Sequence, residues 1–395
     1  MAKIAAFKRF NCLLPDKIAF DKWAIVACDQ FTSLEDYWVS VKKIIGNNPS
    51  SLNMILPEIY LQEDNKEIIN NINDNMNNYL NSGLFKEYKD CYVYIERTIS
   101  NNKVRKGIVG VCDLKQYDVN NRNAEIMSSE QVVKERVPSR KAIRENAKLE
   151  MSHTILFIND KEDLIFQYLS SIKNKLPKLY DFDLMKNGGH ICGYLVSNSF
   201  ADKFDDLYKD YLNKIEEAKT PQLLVGDGNH SMLAAKNIYE ENQSNDLLRY
   251  TMVEIQNIYD EAIEIKPIHR VLFDVNVEDF INYLNNNYNN NVSIKWVLKD
   301  NEGIFRGKET NGDVLDTLQP LIDEYLRTNG GHIDYVHEKV KEIVDHKENA
   351  VGLIIPSIKK EDIFSKVVSN GVYQRKTFSI GESKDKRYYL ETRKI

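Results

Sequence analysis

The stretch LLVGDGNHSMLAAKNIYEE, residues 223–241, constrains the fold more than any other part of the chain. A short apolar run of strand length ends in Gly226-Asp227-Gly228-Asn229-His230, and helical spacing begins at about Ser231. A strand feeding straight into a helix is the joint from which layered α/β folds are built. Gly226 and Gly228 permit positive φ and close backbone approach. The first N–H groups of the following helix lack intrahelical partners, and its dipole adds partial positive charge there, so a phosphate or carboxylate fits the place. His230 can donate to a phosphoryl oxygen and adds charge when protonated. Asn229 lies between them, and Ser231 can cap the helix or touch the same anion. Asp227 does not suit an anion. Either it caps the helix, with His230 merely the first polar residue, or it holds a magnesium ion that bridges phosphates, or it takes a proton from a hydroxyl. No Walker-type Lys-Ser/Thr follows and no GxGxxG is present, which excludes a P-loop and a Rossmann fingerprint.

The rest of the chain supplies the layers. CYVYIERTI (91–99) and RKGIVGVCDL (105–114) flank a polar SNNKV and predict a hairpin. TILFI (154–158), ICGYLV (191–196), QLLV (222–225), YTMVEIQ (250–256), AIEIK (262–266) and AVGLIIPSI (350–358) have strand length, and the tail from Arg375 reads as a terminal hairpin. Residues 200–218 have helical spacing. SEQVVKERVPSRKAIRENAKLEM (129–151) is helical in period with a break expected at Pro138. VACDQFTSLEDYW (26–38) reads as a first strand ending at Asp29, with Thr32 or Ser33 capping a helix. The mixture means α/β or α+β, a mixed sheet with flanking helices. The length of 395 residues suits one large region with two lobes, placed at 1–218 and 219–395.

Composition narrows the function classes. A formal charge of -6 argues against a general nucleic-acid or anionic-membrane surface. No apolar segment has the roughly 18 residues of a membrane helix, and the N-terminal stretch is too polar for a signal-peptide core. Five scattered cysteines without a CxxC predict a reducing, cytoplasmic setting without disulfides or a zinc knuckle.

Four motifs carry a family resemblance. LLVGDGNHSMLAAK, IEIKPIHRVLF (263–273), VPSRKAIRENAKLEMSHTILFI (137–158) and GVYQRKTFSIGESKDKRYYLETRKI (371–395) resemble, in the same order, domain-of-unknown-function family 1015, a prokaryotic family, over nearly the whole chain. The common form of its turn is Asp-Gly-His-His-Arg. Asp227, Gly228 and His230 match it, Asn229 replaces the first His and Ser231 replaces the Arg. That form is similar to the phosphate-binding motif of the ParB/sulfiredoxin-like superfamily, which includes free-serine kinases. The resemblance implies ParB/sulfiredoxin-like core elements, a small phosphorylated metabolite or nucleotide as ligand, and Mg2+ with ATP or ADP as cofactors.

Other residues compete for the same chemistry. His269 and Arg270 follow a strand, where α/β proteins carry their sites, and a guanidinium forks onto oxyanions. The plainer reading is a turn with Arg270 in a surface ion pair. Asp29 at a strand end is a base or a metal ligand, and Cys28 beside it a small buried residue. Arg140 and Arg144 share a helical face that is either solvated or lines an anionic pocket, and Glu150 and His153 follow close by. Arg375 and Lys376 suit phosphate, but equally an edge strand guarded by cations. Three functions follow: a phosphotransferase acting on a small hydroxy metabolite, most plausibly a nucleotide-dependent serine kinase; a phosphoserine phosphatase; or a non-catalytic binder of phosphate ligands or nucleic acid.

Overall fold

The computed structural model describes residues 3–31, 34–60, 65–306 and 313–395. The chain divides into two compact units, one of residues 1–264 with 380–395, the other of residues 265–379. No helix among the described residues is long and apolar enough to cross a membrane.

The first unit is built on a mixed sheet. The strand Ile155–Ile158 runs antiparallel to Leu223–Asp227 on one side and parallel to Tyr250–Asn257 on the other. Beyond Tyr250–Asn257 come Val104–Asp113 and then Phe85–Thr98, each antiparallel to its neighbour. The last two form the hairpin expected from their alternation, with Thr98 opposite Val104. The period-2 pattern separates two cores. Val93, Ile95, Val109 and Val111 pack with Trp23, Trp38 and Val41 on one face. Tyr92, Tyr94, Ile108 and Cys112 pack on the other, with apolar residues of the helices Leu164–Ile172, Asn198–Glu217 and Asn229–Glu241. Ile155–Ile158 is buried throughout, which is why it reads as a continuous apolar run rather than an alternating one.

The second unit has its own antiparallel five-stranded sheet. Its order is Glu302–Phe305, Ile294–Val297, Val351–Ile354, His269–Phe273, His332–Val336. Leu272 and Leu353 pack with Phe280 and Leu284 of the helix Val277–Asn287 and with Leu315, Leu318 and Ile322 of Val314–Asn329.

Several sequence expectations are corrected. Residues 24–28 form no strand; Ile25 makes a single bridge to Tyr389. Thr32 and Ser33 lie outside the described residues. Pro138 does not break a helix but opens one, Val137–Glu145, where its missing N–H and fixed φ cost nothing. Within 262–266 only Ile265 and Lys266 are extended, in the strand Ile265–Pro267. The tail is not a hairpin. Its last strand, Thr392–Lys394, pairs instead with Phe10–Pro15 and Leu149–Met151. All five cysteines are free.

Candidate functional site

The strand Leu223–Asp227 delivers the turn to the end of the sheet, and the helix starts at Asn229, two residues before the expected position. Gly228 is the N-cap residue at φ 90°, a left-handed conformation that favours glycine. A Cβ there would also stand 2.7 Å from Thr154 Oγ1. Asp227 does not cap the helix: its Oδ1 accepts from the N–H of Gly228, and no side chain caps the terminus. The helix therefore presents uncapped N–H groups at Asn229, His230 and Ser231. The Asn229 side chain is buried and its Oδ1 has no partner.

Asp227 is held ionised. Burial pushes its carboxyl up, but the Lys386 ammonium at 3.2 Å and the neighbouring His153 outweigh burial and leave it below its ordinary value. Lys386 is itself fixed from below. Arg97, fully buried, donates to the carbonyls of Gly188, Lys384, Asp385 and Lys386, and Arg105 donates to Asp385 O at 2.7 Å. The Asp385 carboxylate in turn accepts from the Ser100 N–H at 2.9 Å. This clamp turns the chain end back so that Lys386 reaches the turn.

Beside the turn is a cleft of about 120 Å³. One wall is apolar, with Met54, Ile55, Leu56 and Met76. The other carries Arg140 and Arg144 from the helix Val137–Glu145, Ser231 from the turn helix, and Glu150, His153 and Tyr389. Arg140 and Arg144 are four residues apart and share the face that the cleft uses. Arg144 donates through Nη1 to Glu150, while its Nε and Nη2 are buried without a partner. Glu150 also accepts from Arg393 and Thr251. Burial raises the Glu150 carboxyl, but Arg144 and Arg393 outweigh it and bring it down to about 2. Glu150 is thus shared between the Arg144 and Arg393 guanidinium groups.

Both histidines here are neutral at neutral pH. Burial pushes His153 down to about 4, with Arg140 adding to the effect and Asp227 opposing it. Burial, then Arg140 and Arg136, lower His230 to about 4 as well. His230 Nε2 accepts from the Val133 N–H at 3.1 Å, so its proton sits on Nδ1. His230 supplies a neutral donor, not the added charge its position suggested. His153 Nδ1 meets the Tyr389 hydroxyl at 2.6 Å.

Gly226, Asp227, Gly228, Asn229, His230, Ser231, Arg140 and Arg144 all belong to the first unit, whereas His269, Arg270 and Lys376 belong to the second. Arg270 is not in a surface ion pair. It is fully buried, stacks over the Tyr335 ring, and donates to Gln319 Oε1 and to the carbonyls of Ile268, Arg375 and Lys376. His269 Nδ1 accepts from the Ile355 N–H, and burial lowers its pKa. Arg375 grips Asp323 with both Nη atoms, at 2.9 and 2.6 Å. Asp29 opens a short 3-10 turn, Asp29–Phe31, and its side chain lies outside the described residues. Sequence reasoning missed Lys386. The available signal was the tail motif, read for Arg375 and Lys376 and not ten residues further on.

Metal ligation by Asp227 has a simple test in the surrounding donors. Both carboxylate oxygens already have partners, and among the described residues it is not grouped with two further His, Cys, Asp or Glu ligand atoms. The residues do not form an all-protein magnesium cage.

A sequence profile of the family described as protein of unknown function (DUF1015) matches residues 7–390. No curated protein matches the chain. Among solved structures, a free serine kinase in complex with AMP is 10% identical, with TM-score 0.41, over 72% of this chain and 90% of that one. A conserved hypothetical protein from Pyrococcus furiosus is 11% identical, with TM-score 0.39, over 72% and 94%. SbnI with a C-terminal truncation, from Staphylococcus aureus, is 9% identical, with TM-score 0.40, over 71% and 85%. Likeness at this level carries no argument about activity. The match over residues 7–390 does decide kinship: this chain belongs to the DUF1015 family.

Proposed function

We propose that the first unit is a phosphotransferase that moves a phosphoryl group from a nucleotide, ATP or ADP, to the hydroxyl of a small metabolite, serine being the leading candidate. The observation that carries the reading is Arg144, with Nε and Nη2 buried and unpartnered on the wall of the cleft. A buried donor without an acceptor costs roughly 1–3 kcal/mol, more for a charged group, and an oxyanion in the cleft offsets that cost. Ser231 and Arg140 line the same cleft, and the uncapped N–H groups of Asn229 to Ser231 begin the helix that carries Ser231. A volume of about 120 Å³ lies below the roughly 300–1,000 Å³ of pockets that enclose drug-sized ligands, and fits a phosphoryl group or a small amino acid.

Phosphoryl transfer is carried mostly by positioning and by stabilising charge on the moving group. Arg140 and Arg144 supply fixed charge. Ser231 supplies a hydroxyl where the common family motif has an arginine. Asp227 is not among the residues that line the cleft; ionised and balanced by Lys386 on the turn beside it, it is the carboxylate this reading assigns to accept the proton of the attacking hydroxyl. A magnesium ion, if required, would have to be held mainly by the nucleotide's own phosphates, since the described residues offer no all-protein cage for it.

The test is phosphorus NMR of purified protein incubated with magnesium, serine and either ATP or ADP. Appearance of phosphoserine is expected. Phosphate released from added phosphoserine without nucleotide would replace the reading by a phosphatase. No turnover of serine or phosphoserine would overturn the serine assignment.

A further inference from the structure

On the first unit, away from the residues that line the cleft, the strands Lys178–Asp183 and His190–Val196 form an antiparallel hairpin in which Asp181 faces Cys192 and Asp183 faces His190. Side chains two apart share a face of a strand, so these four project together. The opposite face is buried: Tyr180 and Ile191 are in the core, and the Tyr180 ring lies where a Cβ on Gly193 would stand. The shared face is open, with the His190 side chain 46% exposed and Asp181 37%.

Three kinds of donor converge there. His190 Nε2 is 2.7 Å from Asp181 Oδ1 and 3.6 Å from Cys192 Sγ, and Cys192 Sγ is 3.3 Å from Asp181 Oδ1. One ligand atom from each residue lies within 4.8 Å of the others. Ligand atoms about 2.0–2.3 Å from a tetrahedral zinc ion stand roughly 3.3–3.8 Å from one another, so small rotations suffice. Asp183 Oδ1 takes the other ring nitrogen, Nδ1, at 2.7 Å. That is the outer carboxylate that orients a metal-ligating histidine and leaves Nε2 for the metal. Lys178 pairs with the second oxygen of Asp181 and leaves Oδ1 facing the histidine and the thiol.

We infer that Asp181, His190 and Cys192 form a three-ligand site for a borderline-soft divalent cation of the zinc class, with Asp183 as the outer partner of His190 and a fourth position open to water. Thiolate with imidazole selects zinc or cobalt over magnesium or calcium. Binding replaces the Cys192 thiol proton, and the proton on His190 Nε2 where it is present, by metal–ligand bonds, and both protons leave to solvent.

The test is a cobalt(II) titration of the full-length reduced protein, followed by zinc. Cys12, Cys28, Cys91 and Cys112 are buried, so a thiolate-to-cobalt band reports Cys192. One equivalent with that band, displaced by zinc, is expected. Cys192→Ser should abolish the band, and Asp183→Asn should weaken affinity about 10- to 100-fold, with the melting temperature of each metal-free variant unchanged. Absence of the band in the wild type, or its persistence in Cys192→Ser, would overturn the site.

Discussion

Arg144 in the first unit and Arg270 in the second are both arginines whose donors are removed from water, and the difference between them separates a site residue from a structural one. Arg270 gives its donors to a glutamine oxygen and three carbonyls within its own unit. It fastens the 375–376 loop to the five-stranded sheet. Arg144 gives one nitrogen to Glu150 and leaves two buried nitrogens without partners on a cleft. In sequence the two look alike, each within a run of apolar and basic residues. What distinguishes them is whether the fold has already satisfied the cation, and that depends on partners 49 and 105 residues away in the case of Arg270.

The comparison breaks most visibly under Arg270→Ala. Removal leaves several buried acceptors unpaired and a void beside Tyr335, so a loss of about 3 kcal/mol or more is expected in denaturant melts. A near-normal midpoint would show that the second unit does not depend on this guanidinium.

Next in size is Asp227→Asn, which keeps shape but removes the carboxylate. Turnover in the phosphorus NMR assay should fall about a hundredfold or more. The variant also leaves Lys386 without its anion, so circular dichroism must show an intact fold before the rate is read. Wild-type turnover in a folded variant would remove Asp227 from the chemistry.

A smaller effect sharpens the picture of the first unit. His153 and His230 each titrate at about 4 in the folded protein, below the ordinary 6.5. Between pH 4 and 6.5 the unfolded chain binds more protons than the native one, so stability falls as pH falls through that window. Each histidine contributes at most about 1.4 kcal/mol per pH unit. Thermal melts across this range should show a shallower slope for His153→Gln than for the wild type. Equal slopes would mean that His153 is not held neutral by burial.

The sheet was legible because its strands are apolar and short, and because the turn at 226–230 needs glycine. The hairpin of Phe85–Thr98 and Val104–Asp113 announced itself by alternation. The tail did not. Its residues alternate as a hairpin would, yet Arg97 and Arg105, almost 300 positions away in sequence, fix the 384–386 backbone and send Thr392–Lys394 to another strand. Lys386 was invisible for the same reason: a lysine in a polar tail carries no local sign that it faces an aspartate at 227. Arg140 and Arg144 were legible as one face through their spacing of four, but not which of their donors the fold would spend. The sequence carried no cue for the division at 264 and 379, since no linker-like composition marks either point.

The central claim is that Arg144 is an anion-binding cation, and calorimetric titration of phosphoserine into wild type and Arg144→Ala tests it most directly. The account predicts binding by the wild type and a loss of about 1.5–3 kcal/mol in the variant, the scale of a charge-assisted hydrogen bond, with the fold retained because Arg393 still pairs with Glu150. Equal affinities in the two proteins, or no binding of phosphoserine by the wild type, would contradict it.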